Sequence, residues 1–249
     1  MRVLLVNDDG YSAPGIRALA LSASRRGHDV TILAPDGDRS SSAHSATFFK
    51  PLKCKKIPTE GYECYSLSGT PVDCVMLGVM EFAKKRQYDL VISGVNTVSN
   101  LGTDILFSGT VQQAIEAGRL GVRSVALSGL FKTDEEYVPA VEWFFDRLDY
   151  FYLLAEYAPI NVNFPPDWTE KCKFKICPLG IQAYNNYHIL KSDEGDIKEY
   201  SLVGNIIQYN QPYEHTDVDS YNEGYITVTP VPVIMNDFSL IDKLAEVEK

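Results

Sequence analysis

Apolar residues along this chain fall into two patterns that take turns. Short runs at 3–6, 30–33, 90–92, 124–127 and 159–163 carry few polar positions, as strands buried on both faces do. Between them lie stretches with helical spacing. Ile16, Leu19, Ala20 and Ala23 share one face of a helix opened by Pro14-Gly15 and ended at Gly27; Val75, Leu77, Val79 and Phe82 follow Pro71; Val111, Ala114 and Ile115 follow Ser108; and 138–153 is an aromatic-rich amphipathic helix. Alternation of the two patterns predicts βαβ units, hence an α/β fold with a Rossmann-like parallel sheet sandwiched by helices.

Two stretches break this rhythm. Residues 48–67, with their lysines and tyrosines, predict a side ribbon. Residues 172–230 hold many tyrosines and asparagines and short alternating runs such as 225–229, which predict antiparallel strands or an extended arm. Such an arm packs on a partner subunit, so a homodimer or homotetramer is expected. The chain 1–249 reads as one domain with a C-terminal β-rich extension, about 172–230, as its oligomerisation arm.

Composition narrows the class. With 249 residues, 45% hydrophobic and 22% charged, the chain can bury a sizeable core. A net charge of −10 argues against a grip on nucleic-acid polymers, which needs a basic surface. No run approaches the length of a membrane span. Met-Arg and four apolar residues before Asn-Asp-Asp make too short a segment for a secretory signal, so a cytoplasmic protein is expected, with no membrane partner. Its five cysteines contain no Cys-x-x-Cys and predict reduced thiols rather than a disulfide framework or zinc site.

Chemistry gathers where the predicted strands end. Asn7-Asp8-Asp9-Gly10 follows the first run directly, and in an open α/β sheet the carboxyl ends of strands are where ligands bind. Gly10 permits the turn that lets both carboxylates converge. Held that close they would repel unless a cation lay between them, and hard oxygens suit Mg²⁺ or Mn²⁺, with Ca²⁺ able to substitute in crystals. An Asp-Asp pair taken alone fits solvated loop acids or a helix cap equally well. The second strand is followed by Ser40 among serines, and the third by Asn96. Right-handed connections bring all three ends to one edge, where a hydroxyl and an amide oxygen would complete the ligand set. Ser108-Gly109-Thr110 opens a helix, whose free N–H groups favour a bound oxyanion; the plain alternative is a helix cap by Ser108.

In order along the chain stand Asn-Asp-Asp-Gly at 7–10, Ala-Pro-Asp-x-x-Arg-Ser at 34–40, Ser-Gly-Thr-Pro-x-Asp-Cys at 68–74, Ser-Gly-Val-Asn at 93–96, Asn-x-Gly-x-Asp at 100–104, Ser-Gly-Thr-Val at 108–111, Asn-Val-Asn at 161–163 and Gly-Tyr-x-x-x-Thr-Pro at 224–230. With these motifs the chain resembles the SurE family, the survival-protein-E nucleotidases, over nearly its whole length. The resemblance implies a metal-dependent phosphomonoesterase acting on nucleoside 5′- and 3′-monophosphates, with a dimer or tetramer made partly by exchanged C-terminal arms. It implies one divalent ion per subunit on Asp8, Asp9, Ser40 and Asn96, catalysis at Asp8 and Asp9, and phosphate contacts from Ser108, Gly109 and Thr110. Ser41, Val98 and Cys177-Pro178 depart from the family pattern; the last removes a basic contribution to the substrate pocket.

Two other classes fit parts of the sequence. Arg2 to Val6 and Arg26-Gly27-His28-Asp29-Val30-Thr31 read like the first unit of a sugar-nucleotide glycosyltransferase, although the chain is short for the second domain such enzymes use. A metal-gated nucleotide sensor without catalysis is the non-enzymatic alternative.

Overall fold

The computed structural model describes residues 1–233. Its centre is β1 (Arg2–Val6), in which Val3 to Val6 are wholly buried. Side chains alternate along a strand, and here the two sets enter different cores. Val3 and Leu5 pack with α1 (Pro14–Arg25) on one face, while Leu4 and Val6 pack on the other face with Leu33, Leu67, Cys74 and Val75. A strand covered on both sides is apolar at every position, which is why the run at 3–6 lacks polar alternation.

Parallel partners flank it: β2 (Asp29–Pro35) on one side and β5 (Leu90–Asn96) on the other. The side ribbon of 48–67 is β3 (Cys54–Ile57) and β4 (Glu63–Leu67), which extend the sheet beyond β2. Helix α2 (Pro71–Leu77) starts at a capping box in which Thr70 and Asp73 exchange side-chain and backbone bonds, and continues into a wider π-helical turn at Gly78–Phe82. Gly78 lets that turn approach the sheet, since a Cβ there would stand 2.6 Å from Leu4 Cδ2.

Beyond β5 come α3 (Gly109–Arg119), β6 (Ser124–Gly129), and then two helices where the sequence predicts one over 138–153. Helix α4 (Tyr137–Phe145) and α5 (Leu148–Leu154) are separated at Arg147, whose backbone leaves the helical region. Arg147 lies over the Trp143 ring at 4.4 Å, and the bend lets Phe144 and Phe151 both enter the core with ring centres 5.1 Å apart. No glycine or proline marks the break. Next, β7 (Ile160–Phe164) runs parallel to β6, and Phe164 at its end takes Trp143 on one side (5.5 Å) and Trp168 on another (4.9 Å).

The C-terminal segment divides differently from the expected arm of 172–230. Strands β8 (Phe174–Ile176) and β13 (Ile226–Pro230) belong to the main sheet, β13 lying antiparallel to β7 and parallel to β8. Helix α6 (Asp217–Asn222) precedes β13. Only the middle stands apart: β9 (Ala183–Tyr184) pairs with β12 (Ile206–Ile207), and β10 (Tyr187–Glu194) with β11 (Ile197–Val203) forms a hairpin. The reason lies in burial, because Ile226 and Val228 are apolar positions the sheet can cover, whereas most residues of the hairpin are exposed.

The sheet order among the described residues is β3-β4-β2-β1-β5-β6-β7-β13-β8. The chain moves outward from β1 through β2 in one direction and through β5 in the other, so the crevice above β1 and β5 is the switch point where ligands bind in such folds. It receives the loops after β1, β2 and β5.

Candidate functional site

Asn7 builds the turn at the end of β1. Its Oδ1 accepts from Gly10 N–H at 3.2 Å while its Nδ2 donates to Gly10 O at 3.0 Å, and Gly10 takes φ +106°, a conformation costly for other residues. Asp8 and Asp9 are thereby presented at the rim.

Asp8 is only 4% exposed. It sits against the first turn of α3, where Thr110 Oγ1 donates to its Oδ1 at 2.6 Å. Gly109 makes the approach possible, because a Cβ there would lie 2.8 Å from both Asp8 Cβ and Oδ2. Burial raises the Asp8 pKa, and the Thr110 donors offset only part of that rise. Asp9 has no such help: burial first, then the charges of Asp8 and Asp38, push its carboxyl up to about 7. Asp9 faces the α4 side, where its charge, after burial, helps hold the Tyr137 phenol at about 12.

The loop after β2 folds back over this pair. Arg39 N–H donates to Asp8 O at 2.8 Å, and Asp38 Oδ1 accepts from Ser40 N–H at 2.8 Å and from Ser40 Oγ at 2.6 Å. A hydroxyl that gives its proton to Asp38 keeps its lone pairs for another partner. Asn96, buried at the end of β5, donates from Nδ2 to Val98 O at 2.9 Å, which leaves Oδ1 as the atom offered outward.

Asp8, Ser40, Asn96 and Ser108 line one cavity of about 740 Å³. Asp9 does not line it and is coupled to Asp8 through charge. The expected phosphate turn is largely engaged within the protein. Ser108 Oγ accepts from Val111 N–H at 3.1 Å as a helix cap, Thr110 is bonded to Asp8, and Gly109 abuts it. A carboxylate thus occupies part of the electropositive start of α3, as the helix dipole favours. The outer wall is more apolar, with Val98, Phe107, Tyr184, Leu202 and Ile206. Asp104, beside Tyr184, accepts from its phenol.

Asp38 is a neighbour of the site that sequence reasoning did not place here: it accepts from Ser40, and its charge acts on Asp8 and Asp9. The signal in the sequence is Asp36-Gly37-Asp38 itself, but only the turn of the loop brings the charge of Asp38 to bear on Asp8 and Asp9. No three His, Cys, Asp or Glu side chains cluster as a metal site among the described residues. A cation would rest on two carboxylates with neutral oxygens. The residues fit such a group: Asp8 is a buried and Asp9 a half-buried carboxylate, neither with an ion-pair partner among the described residues, and Arg39 on the adjacent loop pairs with Asp36 instead at 3.0 Å. Hard oxygens with net negative charge suit a hard divalent ion.

Comparison with known proteins points one way. The family model "Survival protein SurE" matches residues 3–186. A protein of Clostridium beijerinckii named 5′-nucleotidase SurE is 38% identical over 99% of this chain and 99% of its own length. One of the same name from Thermosipho melanesiensis is 34% identical, covering 99% and 97%. The crystal structure of a SurE protein from Aquifex aeolicus aligns over all of both chains with a TM-score of 0.83 at 32% identity.

Proposed function

Because this chain belongs to the SurE family, we propose that it is a metal-dependent phosphomonoesterase that hydrolyses nucleoside 5′-monophosphates, and 3′-monophosphates as well, to nucleoside and phosphate. The observation that carries the reading is the meeting of Asp8, Ser40 and Asn96 in one cavity at the switch point, with the half-buried Asp9 next to Asp8 in the chain. The relatives named 5′-nucleotidase support it.

In this reading Asp8 and Asp9, with Ser40 Oγ and Asn96 Oδ1, hold one Mg²⁺ or Mn²⁺. When bound, such an ion supplies electrophilic polarisation of the phosphoryl oxygens. Ser108, Gly109 and Thr110 at the start of α3 would contact the phosphate through helix N–H groups that no intrahelical bond uses. The apolar outer wall receives the nucleoside, and exclusion of water there strengthens each polar contact at phosphorus. Water attacks in line with the leaving oxygen. Direct attack by Asp8 or Asp9 would instead make an acyl phosphate, and hydrolysis in ¹⁸O-water separates the two by labelling, or failing to label, a carboxylate.

The chain acts in the cytoplasm as a homodimer or homotetramer. All five cysteines are free, as a reducing compartment maintains, and among the described residues no helix is long and apolar enough to cross a membrane. The apolar hairpin supports the assembly.

The test is phosphate release from AMP. Mn²⁺ or Mg²⁺ should support it, a chelator should abolish it, and Asp9→Asn should lower it by about a hundredfold or more in protein that keeps its circular-dichroism spectrum. A wild type that binds nucleotide with metal but releases no phosphate would favour the sensor.

A further inference from the structure

The loop that carries Ser40 is held at its far end by a histidine that the reading above does not use. His44 Nδ1 lies 2.7 Å from Gln112 Oε1, and His44 Nε2 lies 3.0 Å from Glu116 Oε2. The Gln112 amide cannot be turned round, because its Nε2 donates to Ile105 O at 2.9 Å. Both ring nitrogens therefore face oxygen acceptors, and a nitrogen facing an acceptor must carry a proton. That geometry calls for an imidazolium.

Its acceptors share one face of α3, four residues apart. Glu116 is 2% exposed and is also gripped by Arg119, from Nε at 2.7 Å and from a terminal nitrogen at 2.6 Å. Burial opposes its ionisation, but Arg119 and His44 outweigh burial and hold its carboxyl at about 2. It is a fixed anion.

The loop's other ties lead elsewhere. Arg39 N–H reaches Asp8 O, Ala43 N–H reaches Phe107 O at 3.3 Å, Thr70 Oγ1 reaches Ser45 O at 2.7 Å, and Thr47 N–H reaches Asp73 on α2 at 2.8 Å. His44 supplies the side-chain link from this loop to the body of the helix whose first turn cradles Asp8.

We propose that His44, charged and wedged between Gln112 and Glu116, is the positioning residue that docks the Ser40 loop onto α3, so that Ser40 and Asp8 keep one spacing until the ring gives up a proton. What Ser40 does once positioned rests on the function proposed above; the clamp does not. The charged groups facing the ring are Glu116 and Arg119 on α3, while Asp73 on α2 is occupied by the N–H groups of Thr47 and Thr70. Glu116 raises the His44 pKa, against burial, so the clamp opens as pH rises through a value above that of a free imidazole.

Three measurements on the full chain test this. Nitrogen NMR of histidine-labelled protein should find both His44 nitrogens protonated at neutral pH, with a titration above the ordinary value of about 6.5 that Glu116→Gln lowers. Hydrogen exchange at residues 39–45 should quicken by about tenfold in His44→Ala, while β1 and β5 keep their protection. Mn²⁺ affinity, read by calorimetry, should fall by about ten- to a hundredfold in His44→Ala and recover in part in His44→Lys, which restores a cation facing Glu116.

A neutral ring at pH 7 overturns the proposal. So does His44→Ala with unaltered loop exchange and unaltered Mn²⁺ affinity. Should His44→Ala not fold, Gln112→Leu removes one acceptor alone, and an unmoved His44 titration with unmoved loop exchange in that variant overturns it equally. A protein that releases no phosphate yet meets the NMR and exchange expectations sinks the nucleotidase reading and leaves the clamp standing.

Discussion

The rim above β1 and the β10–β11 hairpin are built from opposite materials. At the rim, carboxylates are taken out of water: Asp8 is almost fully covered and Asp9 is pushed to about 7 by burial and like charge. On the hairpin, apolar groups are left in water, with Leu190 49%, Tyr200 58% and Leu202 60% exposed. Each is unfavourable for one chain alone, because ionised groups resist desolvation and exposed apolar surface forgoes the gain of burial. The costs differ in kind. Charge at the rim strains the folded body itself, whereas the hairpin's apolar surface weighs on the body hardly at all and bears on what the body meets.

The largest expected effect tests the strain at the rim. A carboxyl whose folded pKa is raised from 3.8 to about 7 destabilises the fold when ionised, fully so above pH 7, and the penalty is relieved as pH falls through 7 towards 4. Metal-stripped protein should therefore gain on the order of 2 kcal/mol between about pH 8 and about pH 5 in urea unfolding. Asp9→Asn should lack that rise and be the more stable form at about pH 8. A wild-type curve that is flat or falls over this interval would remove the strain from the comparison.

Next in size is the packing that holds Asp8. Gly109→Ala sets a methyl 2.8 Å from Asp8 and should cost about 1–3 kcal/mol by overpacking, together with weaker Mn²⁺ binding by calorimetry. Unchanged stability and affinity would mean that Asp8 has room to retreat.

Smallest in stability is the hairpin. Leu190 and Tyr200 are cross-strand neighbours, and changing both to serine should move the stability of the folded body by about 0.5 kcal/mol or less while lowering the mass seen by light scattering to that of a smaller assembly. A mass that stays at the wild-type value would detach the hairpin from assembly and leave its apolar face unexplained.

How far sequence could reach follows from the same contrast. Strand β1, helix α1 and strand β2 were legible because every signal that makes them is local: an apolar run, a proline at a helix start, a glycine at its end. Asp8, Asp9, Ser40 and Asn96 could be gathered at one edge because strand ends share an edge whenever connections are right-handed. What escaped depends on distant pairing. The place of β13 beside β7 is fixed by a partner some sixty residues away, and short alternating runs look the same in a sheet as in an arm. The bend at Arg147 serves Phe144 and Phe151 without any breaker residue, so periodicity ran through it. His44 among serines gave no hint of Gln112 and Glu116, which are ordinary helix residues until the loop folds over them.

The placing of the chain's two tryptophans beside Phe164 has a practical consequence. Neither ring lines the cavity at the switch point, and both belong to the aromatic packing at the end of β7. Intrinsic indole emission will follow denaturation of that corner faithfully yet stay dark to occupancy at the rim, so an unchanged spectrum on adding nucleotide would say nothing about affinity.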